Sequence, residues 1–309
     1  MHEKGFIKAS ALFVLTILIA GLVLLVAPVQ AKPGVSLEQC RNGSAASPNG
    51  CPNGGGGTGW VSGNAGASNA HFSEGQSIPY RLIMTDLPIG TPITLDLAYD
   101  VKHSGKFALD FLTHYDRLPE TVVDPFGDIL GLSNTISTVG VSAPSTGDCA
   151  TDDSLADELA ASFASVPAGE KVMTLKGGTL STFSYVSQAC LSDAQAETRI
   201  QVVFTADSAT AVLAWGGHIA ASVHWGAGNS ASGISGSPYH MRTKTWSLGN
   251  LGNQDRSLSA DAVVAVPSSV VTTIMTLQMI ARSPSTAACP WARLFTTRQP
   301  FRGTTPPAR

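Results

Sequence analysis

The densest run of chemistry-bearing side chains lies between Trp215 and Arg256, where WGGHIA, HWGAGN, SGSPYHM and GNQDRS follow one another. His218, His224 and His240 sit there with Asp255 as the nearest downstream carboxylate, a donor set that Zn²⁺ or another borderline cation accepts. Their separations of six and sixteen residues fit no helix-borne pair of the HExxH kind, so only strand pairing would bring the rings to one ion. A competing reading gives His218 and His224 a structural part, flanking a Gly-rich turn and packing beside Trp215 and Trp225.

Other chemistries leave fainter marks. Serines abound, but no GxSxG elbow exists, because Gly233 to Ser237 read GISGS with the glycines misplaced for a nucleophile turn. A carboxylate pair for glycoside cleavage could be drawn from Asp96, Asp100, Asp110 and Asp116, yet nothing singles out two of them. Asp148, Asp152, Asp153 and Asp157 could offer oxygens to Ca²⁺, but they lack the EF-hand pattern and suit the first turn of a helix. Catalytic residues are therefore not assigned, no cofactor is expected, and Ca²⁺ or Zn²⁺ would be the ion if one binds. Trp60, Trp215, Trp225, Tyr239 and Trp246 are candidates for stacking on a sugar, three of them beside glycines that would let a ligand approach. A half-buried sandwich tryptophan explains them equally well.

The elements around these residues read as strands. Ile93, Leu95, Leu97, Tyr99 and Val101 alternate with Thr94, Asp96, Ala98 and Asp100, a period of two that gives a strand with one face buried and one wet. Ile78 to Met84 precedes it across the turn signal Asp86 to Gly90. FALDFLTHY, Phe107 to Tyr115, fits strand or helix. Lys171 to Lys176 and Thr179 to Val186 flank Gly177-Gly178, a two-residue hairpin signal, and Arg199 to Thr205 and Thr210 to Trp215 form a second strand pair. The single good helix covers Asp152 to Phe163, with Leu155, Leu159 and Phe163 on one face. Short strands without a βαβ rhythm predict a mainly β, antiparallel β-sandwich, Ig-like or jelly-roll-like, with one short helix.

The chain ends bound the compartment. Lys4 and Lys8 precede an uncharged stretch that closes on Val29-Gln30-Ala31, which reads as a secretory signal over residues 1–31. The apolar run Ala11 to Ala27 is 17 residues, short of a bilayer span of about 20, so the membrane would be met only through this segment if it stays uncleaved. Removing Glu3, Lys4 and Lys8 from 19 basic and 22 acidic residues leaves 17 and 21, a weakly acidic mature chain. Such a body excludes nucleic acid as a partner, since phosphates need a basic surface. Charged residues make up only 13%, against about 25% in an ordinary soluble domain, which favours sheets over solvated helices.

Five cysteines without a CxxC pair predict disulfides in an oxidising compartment. The preferred pairing is Cys40–Cys51, around a Gly/Asn/Pro-rich loop, and Cys149–Cys190, with Cys289 left over, although four cysteines allow three pairings. The domain is expected over residues 32–266, with a subdomain split near 145 as one option, followed by a β-prone and then disordered Arg/Pro/Thr-rich tail over 267–309.

Leu37 to Cys40, Trp60 to Asn64, Glu74 to Arg81, Gly105-Lys106 with Asp110 to Thr113, Trp215 to Ile219 and Gly236 to Met241 together resemble the N-terminal module of large exported bacterial surface proteins. Those proteins often continue into Ig-like or prealbumin-like β repeats, whereas this sequence stops at residue 309. The resemblance spans residues 37–266 and implies a secreted, extracellular or cell-surface place without carrying over an activity. The expected function is a non-catalytic adhesive, carbohydrate- or matrix-binding module, with an extracellular glycan or surface protein as partner. Its alternatives are a metal-dependent hydrolase built on His218, His224 and His240, and a structural spacer of a multidomain protein.

Overall fold

The computed structural model describes residues 31–51, 59–119, 123–147, 153–236 and 238–266. The leader and tail readings, Asp148 and Asp152 of the acidic group, and Cys149 and Cys289 lie outside these residues, and so does the expected Cys149–Cys190 bridge. The early strands are β1 (Gly34–Arg41), β2 (Gly43–Ser44), β3 (Ser47–Pro48), β4 (Gly59–Val61), β5 (Phe72–Ser73) and β6 (Ser77–Thr85). Then come β7 (Pro92–His103), β8 (Lys106–Phe107), β9 (Leu109–Thr113), β10 (Ile136–Gly140), β11 (Val172–Lys176) and β12 (Gly178–Gln188). The last are β13 (Ala196–Ala206), β14 (Ala211–Ile219), β15 (Tyr239–Trp246), β16 (Asp255–Leu258) and β17 (Val263–Val264). Helix α1 covers Asp153–Ser165, and a single turn, α2, covers Ser222–Trp225. Among the described residues no helix is long and apolar enough to cross a membrane.

Two antiparallel sheets make the body. The first runs β10-β11-β14-β6-β1-β4 with β9 added beside β14, and the second runs β12-β13-β7-β15-β16 with β8 beside β7. One apolar cluster joins Leu37, Leu82, Leu213 and Trp215 of the first to Leu95, Leu97, Ile200, Val202 and Met241 of the second. The inner faces therefore pack as a sandwich, as period-two alternation requires when one side of each strand must leave water. Trp215 stacks on Tyr80 at 5.9 Å between centroids and both are fully buried, each such side chain contributing about 2–3 kcal/mol of hydrophobic stabilisation. Strands from before and after residue 145 interleave in both sheets, so the body does not divide there.

The Gly177-Gly178 signal marks a corner rather than a hairpin. β11 belongs to the first sheet and β12 to the second, and the two do not pair. Gly177 has φ +95°, and a Cβ added there would lie 2.6 Å from the carbonyl oxygen of Thr210, so the close crossing excludes a side chain. The link Asp207 to Thr210 likewise carries the chain from β13 in the second sheet to β14 in the first, where a strand pair was expected. Asp86 to Thr91 makes the crossing from β6 to β7. These three crossings bond to one another through Asp207 N–H to Gly177 O, Leu87 N–H to Ala209 O and Gly90 N–H to Ala206 O.

The first strand of the described body and β16 near its close are joined to each other. The Gln39 amide donates to Ser257 O at 2.8 Å, Arg256 Nε donates to Leu37 O at 2.6 Å, and Ala65 bridges Leu258. The expected cystine Cys40–Cys51 is formed, with Cα atoms 5.6 Å apart, and fixes the loop after β3 to β1. Helix α1 lays Leu155, Leu159 and Phe163 against the core, as their spacing predicts. FALDFLTHY resolves as strand, giving β9 and the end of β8.

Candidate functional site

β9 and β14 pair antiparallel with Phe111 opposite His218, and the register shifts between His218 and Ile219. This places the His218 ring flat on Phe111, centroids 4.3 Å apart, with Phe163 of α1 edge-on to Phe111 at 5.1 Å. His218 Nδ1–H donates to Asp110 Oδ1 at 2.6 Å, and the other oxygen, Oδ2, accepts from Ser162 Oγ at 2.6 Å and Trp225 Nε1 at 3.1 Å. Strand, helix and the α2 turn thus meet on one carboxylate. Burial pushes the Asp110 carboxyl up, but the His218 imidazole and the Ser162 and Trp225 donors outweigh it and hold it below the ordinary range.

The direction of these bonds is that of an imidazole oriented by an acid, which leaves Nε2 to take a proton. Nε2 is buried and has no hydrogen-bond partner among the described residues, while Asp110 and His218 are each only 1% exposed. The Ser162 hydroxyl of this cluster is committed to Asp110 rather than to His218. What the arrangement does chemically is fasten α1 and α2 to the first sheet.

A second buried acid, Glu74, has the same habit. Oε1 accepts from Ser230 Oγ at 2.6 Å, Ser232 Oγ at 2.6 Å and Ser232 N at 3.2 Å, and Oε2 accepts from Ser222 N at 2.9 Å. Burial raises this carboxyl, and the serine donors more than reverse the shift, leaving it below its ordinary value of 4.5. Glu74 ties the residue 222–232 loop to the segment after β5. Sequence reading did not single it out, and four donors gathered from residues about 150 positions away leave no local pattern.

The three histidines do not share a centre. His218 faces Asp110 on the first sheet, whereas His240 lies on β15 of the second and pairs its Nδ1 with Asp255 Oδ1 at 2.6 Å. His224, in α2, is half-buried, and burial lowers its pKa below 6.5, with His218 adding to the fall and Asp110 and Glu158 opposing it. Among the described residues no group of three or more His, Cys, Asp or Glu is placed to hold a metal ion. Of the four acids considered for glycoside chemistry, Asp96 pairs with Arg199, Asp100 with Arg242 and Asp110 with His218. Asp157 is exposed on α1.

The aromatic residues are in the core. Trp215 and Tyr239 are fully buried, Trp225 and Trp246 nearly so, and Trp60 donates to Asp124 O beneath the Arg81 guanidinium. The glycines beside Trp215 serve strand packing rather than ligand approach. A Cβ on Gly216 would come within 2.6 Å of His114 O and Thr113 Oγ1, and one on Gly217 would press on Leu109 and Tyr80.

An open concavity among the described residues lies elsewhere, at the cystine end. A cleft of about 500 Å³ is walled by Asn42, His71, Ser73 and Gln76, with Leu118 and the neighbouring prolines on its apolar side. The Asn42 side chain both donates to His71 O and accepts from His71 N at 2.8 Å, and His71 Nδ1–H donates to Gly43 O at 2.8 Å. No family model matches the chain, and no curated protein or solved structure is similar to it.

Proposed function

We propose that the chain is a non-catalytic module of an exported protein, working outside the cell or at its surface in adhesion or matrix binding. The observation that supports this most is the fate of the residues suited to chemistry. Asp110 and Glu74 are buried and spend their hydrogen bonds on joining helix, loops and sheet, and His218 is buried with its Nδ1 held by Asp110, so these groups lie away from where a substrate would reach them. The cystine Cys40–Cys51 agrees with an oxidising compartment. The region resembling the N-terminal modules of exported surface proteins, residues 37–266, coincides with the sandwich.

The test is to express the full chain through a secretion route and present it with ester, peptide and glycoside substrates, with and without Zn²⁺ or Ca²⁺, alongside immobilised matrix material. Retention on the matrix with no turnover is the expected result. Turnover that disappears in a folded His218→Ala protein would overturn the proposal and return the histidine-based hydrolase to first place.

A further inference from the structure

We propose that the cleft beside the Cys40–Cys51 cystine binds a neutral carbohydrate. The inference rests on the non-catalytic reading above and names the ligand class it serves. The cleft holds about 500 Å³, inside the range of roughly 300–1,000 Å³ usual for small-molecule sites, and none of the described residues lining it carries a formal charge apart from the titratable His71 ring. An ionic ligand would find no counter-charge among these described residues.

Its polar lining is matched to hydroxyl groups. His71 Nδ1 donates to the Gly43 carbonyl, which can only accept, so in the neutral ring Nε2 is an acceptor, and no group among the described residues bonds to it. Gln76 Oε1 accepts from the Ser73 N–H at 2.9 Å, which fixes the carboxamide and leaves its NH₂ without an acceptor among the described residues. The Ser73 hydroxyl, which can give or take, is likewise unused. One acceptor, one donor and one group of either kind, set against Leu118, Pro48 and Pro119, suit a sugar, whose hydroxyls both donate and accept and whose C–H face is apolar.

The walls are preset, which lowers the entropy cost of binding. Gln76 N donates to Ser73 O, Gly75 turns the chain at φ +80°, and the Asn42 carboxamide clamps the backbone of His71. No aromatic ring is among the described residues lining the cleft, so a single site is expected to bind with a Kd of about 1 mM.

The experiment is an NMR titration of the exported, oxidised full chain with glucose, galactose, N-acetylglucosamine and their disaccharides, up to about 50 mM, well above the expected Kd. The expected result is saturable shifts at the amides of His71, Ser73 and Gln76. Ser73→Ala and Gln76→Glu should each weaken binding about tenfold, the latter keeping an oxygen for the Ser73 N–H while replacing the NH₂ donor by a charged acceptor oxygen. Wild-type amide spectra outside the cleft confirm that both variants fold. No saturable shift with any neutral saccharide overturns the site and leaves the non-catalytic reading standing. Cleavage of a bound disaccharide overturns the non-catalytic reading and leaves the site standing. Displacement of the sugar by a neutral tripeptide at tenfold lower concentration would assign the cleft to polypeptide and overturn the carbohydrate proposal.

Discussion

Two sets of carboxylates in this molecule use similar partners to different ends. Asp110 and Glu74 are sealed inside and accept three and four hydrogen bonds from hydroxyl, indole, imidazole and backbone donors. Asp96, Asp100, Glu197 and Asp255 lie on the outer face of the second sheet. There Arg199 and Thr245 bond Asp96, Arg242 reaches Asp100, Glu197 and Asp255, and Lys244 bonds Glu197. The bond counts are alike, but a group freed on the outer face is met by water, whereas one freed inside is not. The interior set therefore holds the fold together, and the exterior set is a partly exposed network of ion pairs laid over a sheet face.

The contrast is sharpest at Asp110. Asp110→Ala strands the His218, Ser162 and Trp225 donors without water and is expected to cost about 3–5 kcal/mol, read as the shift of the urea midpoint at constant m. A cost below about 1 kcal/mol would erase the distinction between the two sets. Glu74→Gln comes next, at about 1–3 kcal/mol near neutrality. Because the folded carboxyl is held below 4.5, its contribution is complete above that value and fades as pH falls through the lower folded one. The stability gap between wild type and Glu74→Gln should accordingly narrow below about pH 4.5, and a gap that stays constant down to acid unfolding would break the argument. Lys244→Ala on the outer face is the smallest, within about 0.5 kcal/mol and smaller still in high salt.

What the sequence made legible was local. The alternation from Ile93 to Val101 gives β7, the Leu155, Leu159, Phe163 spacing gives α1, and two cysteines around a tight loop give the cystine. Even there the wet face of β7 is covered, because Arg199, Arg242 and Lys244 from the flanking strands lie over Asp96 and Asp100 or their neighbours. The site was less readable. His218 was matched to Asp255 by proximity in the chain, yet its partner is Asp110, 108 residues away and reached only through the β9–β14 register. The glycines around Trp215 read as openings because the same residue type serves ligand approach and backbone contact, and only the partner strands decide between them. Gly177-Gly178 misled for the same reason, since a turn signal fixes the bend but not which sheet the next strand joins.

The stitching of Gln39 to Ser257 and of Arg256 to Leu37 constrains how the molecule comes into being. Neither layer can be completed from the first half of the polypeptide, since β6 awaits β14, and β7 awaits β13 and β15, all of which follow residue 195. Loop closures of this span must be made before their contacts repay them, which places folding among the slow, millisecond-to-second β topologies. A nascent chain halted near residue 200 would present open strand edges to its surroundings, and assembly into the native form is deferred until almost the whole body has been delivered.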